Sequence, residues 1–296
     1  MLSVDEAFAK FDGRQGLNDR EQADVSKRHL EVRSHVANAL DVDRDFLTGS
    51  YARWTKTKPL KDVDVFSVLN ESERPHRSAA SNEILRLLKQ ALDPVYGPEH
   101  VRADRIAVTV DFGVAVSAEE ETDDKVMSID VVPAFARNGH YEIPAPDGVE
   151  WMETDPDVHR DLAIAAHDSY QRAWKPLVRM IKKWNRHNGR PVQPSFLLEV
   201  MALDLLVPPF SGGYPYELKS FFASAADRIY DTWSDPAHLG PAVSSEMSMS
   251  QKAAARQALM DAEQSATTAI LFAKQGKVGE ALQTWRGVFG PHFPLS

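Results

Sequence analysis

The sequence contains no cysteine. Disulfides and cysteine-ligated zinc are therefore excluded, and residue usage gives no sign of secretion. No run approaches the ~20 apolar residues that a membrane-spanning helix needs. The first residues, MLSVDEAFAKFDGR, offer neither a basic start nor an apolar stretch, so no signal peptide is expected. A broad excess of positive charge is also missing: 34 Lys and Arg stand against 43 Asp and Glu, a net charge of −9. A protein that grips long nucleic acid usually has a wide positive surface that displaces counterions. Internal repeats and low-complexity tracts are absent. The expectation is a soluble, cytoplasmic protein that requires neither duplex nucleic acid nor a membrane.

What is present is enough apolar material for a core, 43% of 296 residues, in one large domain or two lobes sharing a cleft. Positive charge gathers in two acid-free islands. Residues 51–61 contain Arg53, Lys56, Lys58 and Lys61; residues 169–198 contain Arg172, Lys175, Arg179, Lys182, Lys183, Arg186 and Arg190. Small basic islands in an acidic chain suit a small polyanion such as a nucleoside triphosphate better than a duplex.

Periodicity divides the chain near residue 150. Residues 3–40 read as one or two helices, 62–69 as a strand, 78–92 as a helix and 105–116 as a strand. A solvated turn at 119–124 leads to a strand over 125–135, closed by Pro133. Beyond 150 helices are expected near 157–173, 176–188, 195–207, 217–230, 248–275 and 277–287, separated by Gly- and Pro-rich breakers. This is an α+β chain: a mixed sheet with helices over 1–150, a helical lobe over 151–296, and a cleft between them. The segment WMETDPDVH (151–159) bridges the lobes, either lining a pocket or forming a turn with a helix cap at Thr154 or Asp155. The Ala- and Met-rich 248–275 helix reads as packing.

The chemistry concentrates in LTGSYARWTKTKPLKDVDVFSVLN (47–70). Eleven residues separate Ser50 from Asp62, and Asp64 follows two residues later. On a strand, residues two apart share a face, so Asp62 and Asp64 project together. Two neighbouring carboxylates repel unless a cation sits between them. Mg²⁺ takes oxygen ligands, typically a few carboxylates plus substrate phosphates. Asp130, mid-strand in SIDVVPAF, is the natural third acid. Gly49 lets the backbone approach a ligand closely, and a helix starting at Ser50 would aim N–H groups and a hydroxyl at a phosphate. Singly, a D-x-D starts many strands and a G-S makes many turns; together with a third strand acid they describe two-metal nucleotidyl transfer.

This assembled pattern resembles the DNA polymerase β nucleotidyltransferase superfamily and, within it, the cGAS/DncV-like nucleotidyltransferases of bacteria, related to the oligoadenylate synthetases. Three blocks support the likeness: TGSYARWTKTKPLKDVDVF, IDVVPAF, and LVRMIKKWNRHNGRPVQPSFLLEVMAL, with the ending WRGVFGPHFP also similar to bacterial members. The resemblance implies phosphate contacts from Gly49 and Ser50. It implies two Mg²⁺ or Mn²⁺ ions held by Asp62, Asp64 and Asp130, with Asp130 helping to deprotonate the attacking hydroxyl. It gives Lys182 to the triphosphate, Ser195 to a phosphate and Phe196 to a nucleobase; relatives often have tyrosine at the last position. Read from the helix alone, Arg179, Lys182 and Arg186 share a face that packing would leave solvated, with Leu177, Val178, Ile181 and Trp184 turned to the core. Ser195 also reads as a helix cap and Phe196 as core.

The resemblance implies a bacterial second-messenger synthase that joins nucleoside triphosphates into a cyclic di- or trinucleotide with release of pyrophosphate, in anti-phage signalling. Its partners would be a regulatory protein or a downstream effector acting through the product. A template-independent RNA or tRNA nucleotidyltransferase, or a linear oligonucleotide synthase, shares the first block but needs an RNA grip. A catalytically dead scaffold would not need all three acids.

Overall fold

The computed structural model describes residues 2–113 and 128–296. The expected turn at 119–124, and the strand residues expected at 114–116 and 125–127, lie outside the described residues. The chain forms two compact units. A sheet unit comprises Leu17–Arg53 and Lys58–His159; a helical unit comprises Met1–Gly16, Trp54–Thr57 and Arg160–Ser296.

In the sheet unit, α2 (Asp19–Ala39) is followed by β1 (Val42–Thr48), the single turn α3 (Gly49–Ala52) and β2 (Asp62–Leu69). The short helix α4 (Arg74–Arg77), α5 (Asn82–Tyr96), β3 (Val101–Asp104), β4 (Ala107–Asp111), β5 (Ser128–Arg137), β6 (His140–Pro144) and β7 (Trp151–Thr154) complete it. The helical unit, numbered in chain order, contains α1 (Val4–Gln15), the end of α6 (Pro156–Ser169), α7 (Trp174–His187), α8 (Phe196–Leu205), α9 (Tyr214–Arg228), α10 (Met249–Lys274) and α11 (Val278–Phe289).

The 3–40 stretch is two helices because two capping signals lie within it. Ser3 and Glu6 close a capping box at the start of α1, and Asn18 and Glu21 close another at the start of α2. The two helices then part company. Val25, Val32 and Val36 of α2 bury against the sheet core, whereas Phe8 and Phe11 of α1 join the helical core. Phe8 sits edge-on to Trp285 and Phe293, with ring centres 5.1 Å apart in both pairs. The sequence division at 150 had kept α1 with the sheet; its aromatic face ties it to α11 instead.

The sheet runs β1-β2-β5-β4-β3, with β6 pairing β5 and β7 pairing β6. β2 and β5 are parallel, with Asp64 opposite Asp130; β1 flanks β2 antiparallel, with Thr48 opposite Asp64. β5 continues through Pro133 to Arg137 rather than stopping there. Pro133 falls where β5 changes partner: pairing with β4 ends at Val131, and pairing with β6 begins at Phe135. A residue without an N–H costs least at such a place.

Strand alternation decides which way each side chain points. Val63, Val65, Ile129 and Val131 pack with α2 and α5 in one apolar layer. Phe66, Val68, Val132 and Ala134 belong to a second layer on the other face. Asp62, Asp64 and Asp130 have the parity of this second set, so all three acids stand on the face turned away from α2 and α5.

Candidate active site

The three carboxylates differ in exposure. Asp62 is exposed, while Asp64 and Asp130 are partly buried. Thr109, opposite Asp130 on β4, hydrogen-bonds the Asp130 carboxylate. Asp130 Oδ1 is nevertheless buried and has no hydrogen-bond partner. Burial, reinforced by the negative charge of Asp62 and opposed by the Thr109 bond, pushes the Asp130 carboxyl up to about 6. A buried carboxylate oxygen without a partner costs free energy unless a proton or cation compensates it.

Gly49 begins α3 at φ +64°, directly after Thr48, the register partner of Asp64. A Cβ there would fall 1.7 Å from Asp64 Oδ2. Only glycine leaves room for this carboxylate beside the turn. Ser50 follows in the first turn of the helix, as the sequence indicates. Gly49, Ser50, Asp62, Asp64 and Asp130 therefore lie at the start of two adjacent parallel strands and the turn beside them.

The donor set is all oxygen, which suits a hard divalent cation, and the unpartnered Asp130 oxygen would be available to hold one. Among the described residues, no group of three or more His, Cys, Asp or Glu side chains stands drawn together as a ready ion-binding cluster. The acids share a face and mutual repulsion rather than a closed cage.

Lys182, Ser195 and Phe196 belong to the helical unit. Of the α7 face formed by Arg179, Lys182 and Arg186, Lys182 is buried, 8% exposed, and the two arginines are partly buried; Lys183, off that face, is also buried. Lys182 Nζ donates to Glu199 of α8 at 2.8 Å, and Arg179 pairs with Asp12 of α1. Ser195 is exposed at the start of α8, and its side chain makes no capping bond, so the hydroxyl is not used as a cap. Phe196 is half-buried against the helical core. Asp155 caps α6: its Oδ1 accepts from the backbone N–H groups of Asp157 and Val158 at 3.0 and 3.3 Å. Trp151–Thr154 is strand β7.

Sequence reasoning missed Thr109, Thr55 and Glu199. The signal for Glu199 was there: it is the one charged residue in FLLEVMAL, and such a residue inside an apolar helix calls for a partner.

A mixed sheet with paired strand-borne aspartates beside a glycine turn places the protein among the nucleotidyltransferases. The chain belongs to the Second Messenger Oligonucleotide or Dinucleotide Synthetase family, whose domain description matches residues 2–164. It is thus a nucleotidyltransferase of the cGAS/DncV type that makes cyclic oligonucleotide second messengers. Among curated proteins it is similar to a probable cyclic nucleotide synthase of Bacillus cereus, 24% identical over 83% of this chain and 81% of that one. A cyclic AMP-AMP-AMP synthase of Acinetobacter sp. is 25% identical over 85% and 73%. The fold is that of Escherichia coli MS115-1 CdnC, solved with ATP: TM-score 0.73, 19% identity, 99% of each chain covered. The same protein in complex with HORMA-deltaN also matches with TM-score 0.73, at 22% identity over 99% of each chain. No helix among the described residues is long and apolar enough to cross a membrane.

Proposed function

We propose that this chain joins nucleoside triphosphates into a cyclic di- or trinucleotide, with Asp62, Asp64 and Asp130 holding two Mg²⁺ or Mn²⁺ ions and Gly49 and Ser50 contacting phosphate. The observation behind this reading is Asp130: in register with Asp64, partly buried, and with its Oδ1 buried and unpartnered. Bound divalent cations would neutralise the triphosphate and the departing pyrophosphate. The ribose hydroxyl of one nucleotide attacks the α-phosphorus of another; the new P–O bond forms as the bond to pyrophosphate breaks. Asp130, in its ionised form, accepts the hydroxyl proton.

The family resemblance adds Lys182 at the triphosphate, Ser195 at a phosphate and Phe196 stacked on a base. It also adds a cytoplasmic setting, a role in anti-phage signalling, and a regulatory protein partner or effector that reads the product. Support for a protein partner comes from the similar CdnC, solved bound to HORMA-deltaN. Two similar proteins are cyclic AMP-AMP-AMP synthases, which makes ATP the first substrate to test and a ring of three the first product to seek.

The test is incubation with all four labelled triphosphates and Mg²⁺ or Mn²⁺, then phosphatase and mass analysis. A cyclic product has no terminal phosphate and survives. Ring closure is intramolecular and gains from effective concentration, whereas a growing strand needs a track of basic and aromatic residues. A ladder of phosphatase-sensitive linear products, or extension of a supplied RNA end, would replace this reading with that of a linear polymerase.

A further inference from the structure

Thr55 and Lys182 meet on one carboxylate. Glu199 is 2% exposed; its Oε1 accepts from Lys182 Nζ at 2.8 Å and its Oε2 from the Thr55 hydroxyl at 2.8 Å. Thr55 is fully buried. The three residues come from α8, α7 and the Trp54–Thr57 stretch, all within the helical unit. One residue earlier, the Trp54 carbonyl accepts from Arg179 Nη1 at 2.9 Å, and Arg179 is itself paired with Asp12. Trp54 is held at φ +61° with its side chain 61% exposed. Such a backbone is unfavourable for a bulky residue and persists only where its surroundings impose it.

A buried ion pair is a poor source of stability, because desolvation offsets the attraction. What it supplies here is a fixed point. Two consecutive residues, Trp54 and Thr55, are anchored by separate bonds, one through the main chain and one through a side chain. The anchored stretch is the direct continuation of α3, whose first residues are Gly49 and Ser50. Arg53 closes that turn with its N–H on the Gly49 carbonyl at 3.2 Å, and Trp54 is next.

We propose that Glu199 is a positioning residue for nucleotidyl transfer. Its carboxylate fixes the Lys182 ammonium and the Thr55 hydroxyl together, and so tethers the chain that leads out of the Gly49-Ser50 turn to α7 and α8. It touches no substrate. The inference rests on the reading of Gly49-Ser50 as the phosphate turn. Pyrophosphate release from ATP is the assay, so the answer does not depend on ring size or on whether the product is cyclic.

Glu199→Gln keeps the shape and removes the charge; Thr55→Val removes the hydroxyl, and Thr55→Ser keeps it. Kinetics are measured well below the melting midpoint of every variant. Glu199→Gln and Thr55→Val should each lower kcat/KM between about tenfold and a hundredfold, the scale of a misplaced reacting group. Thr55→Ser should restore it to within about threefold, and the double variant Thr55→Val/Glu199→Gln should be no worse than about twofold below the poorer single, since the two act through one contact. Lowered midpoints with unchanged kcat and KM would overturn the proposal, as would losses that multiply in the double variant. Should Glu199→Gln fail to fold, Thr55→Val with wild-type kinetics overturns it alone. If Gly49→Ala retains full activity, the phosphate-turn reading fails separately, without reference to Glu199.

Discussion

A Cβ on Gly49 would fall 1.7 Å from Oδ2 of Asp64 and 2.6 Å from its Cγ. The turn and the acid are therefore one packing problem. Gly49→Ala would force the carboxylate aside and would also strain a backbone held at φ +64°. The expected result is loss of pyrophosphate release and a stability cost of about 1–2 kcal/mol, the usual penalty for the left-handed region. Thermal melting with and without Mg²⁺ checks the geometry independently of turnover: the Mg²⁺-induced rise in midpoint should shrink in the variant. An active Gly49→Ala would separate the turn from the site.

Asp130 sets a pH dependence. Its carboxyl is raised from 3.8 to about 6 in the folded protein, chiefly by burial. A raised acid binds more protons folded than unfolded, so the stability it contributes is full below pH 3.8 and is lost as pH rises through about 6. Above that, ionised Asp130 costs the metal-free protein at most about 3 kcal/mol, at ~1.4 kcal/mol per pH unit. Asp130→Asn should melt higher than the wild type at pH 7.5, and the gap should close by pH 4. It should make no product, and Mg²⁺ should stabilise it far less than the wild type. An Asp130→Asn protein that melts lower at pH 7.5 would contradict this account.

How legible each feature was depends on how local its cause is. The β-branched run after Asp62 and the shared face of Asp62 and Asp64 are set by neighbours two residues away, and the sequence reveals them; Asp130 joins that face through the parallel register of β2 and β5. The fate of α1 is not local: Phe8 and Phe11 could face any apolar layer, and only Trp285, Phe289 and Phe293, far along the chain, decide it. Lys182 is the same kind of case. Its helix shows a charged face, but the acid paired with it comes from another helix, so charge spacing left solvent and phosphate as its surroundings and did not reveal the ion pair. Strands β3 and β6 are short and carry polar residues that their pairing, not their own pattern, makes extended.

Lys182→Ala has two consequences. It would remove a proposed triphosphate contact and would take the Lys182 ammonium away from Glu199, which is 2% exposed. Losing one member of a buried pair costs about 3–5 kcal/mol. Denaturant melts should show a loss of that size. On the folded variant, the apparent KM for ATP should rise more than in Lys183→Ala. A larger KM effect from Lys183→Ala would move the triphosphate contact to that residue.

Duplex DNA or RNA should not be required for activity. The two basic islands are the chain's best candidates for a nucleic-acid grip, and folding uses up much of them. Lys58 pairs with Glu21 at 2.8 Å, Arg172 with Asp168 at 2.6 Å, and Lys182 with Glu199 at 2.8 Å, while Arg179 takes Asp12. Arg53, Lys56 and Lys183 are buried. Cations already paired or buried release few counterions, and the net charge of −9 repels a polyanion. Each phosphate contact would add a slope of about −0.9 to the dependence of log affinity on log salt. The expected slope for duplex binding is therefore shallow, and activity on ATP should be the same with and without duplex. A strong stimulation by duplex that falls away steeply between low and moderate salt would show a basic surface that these pairs conceal, and would make the protein a nucleic-acid sensor.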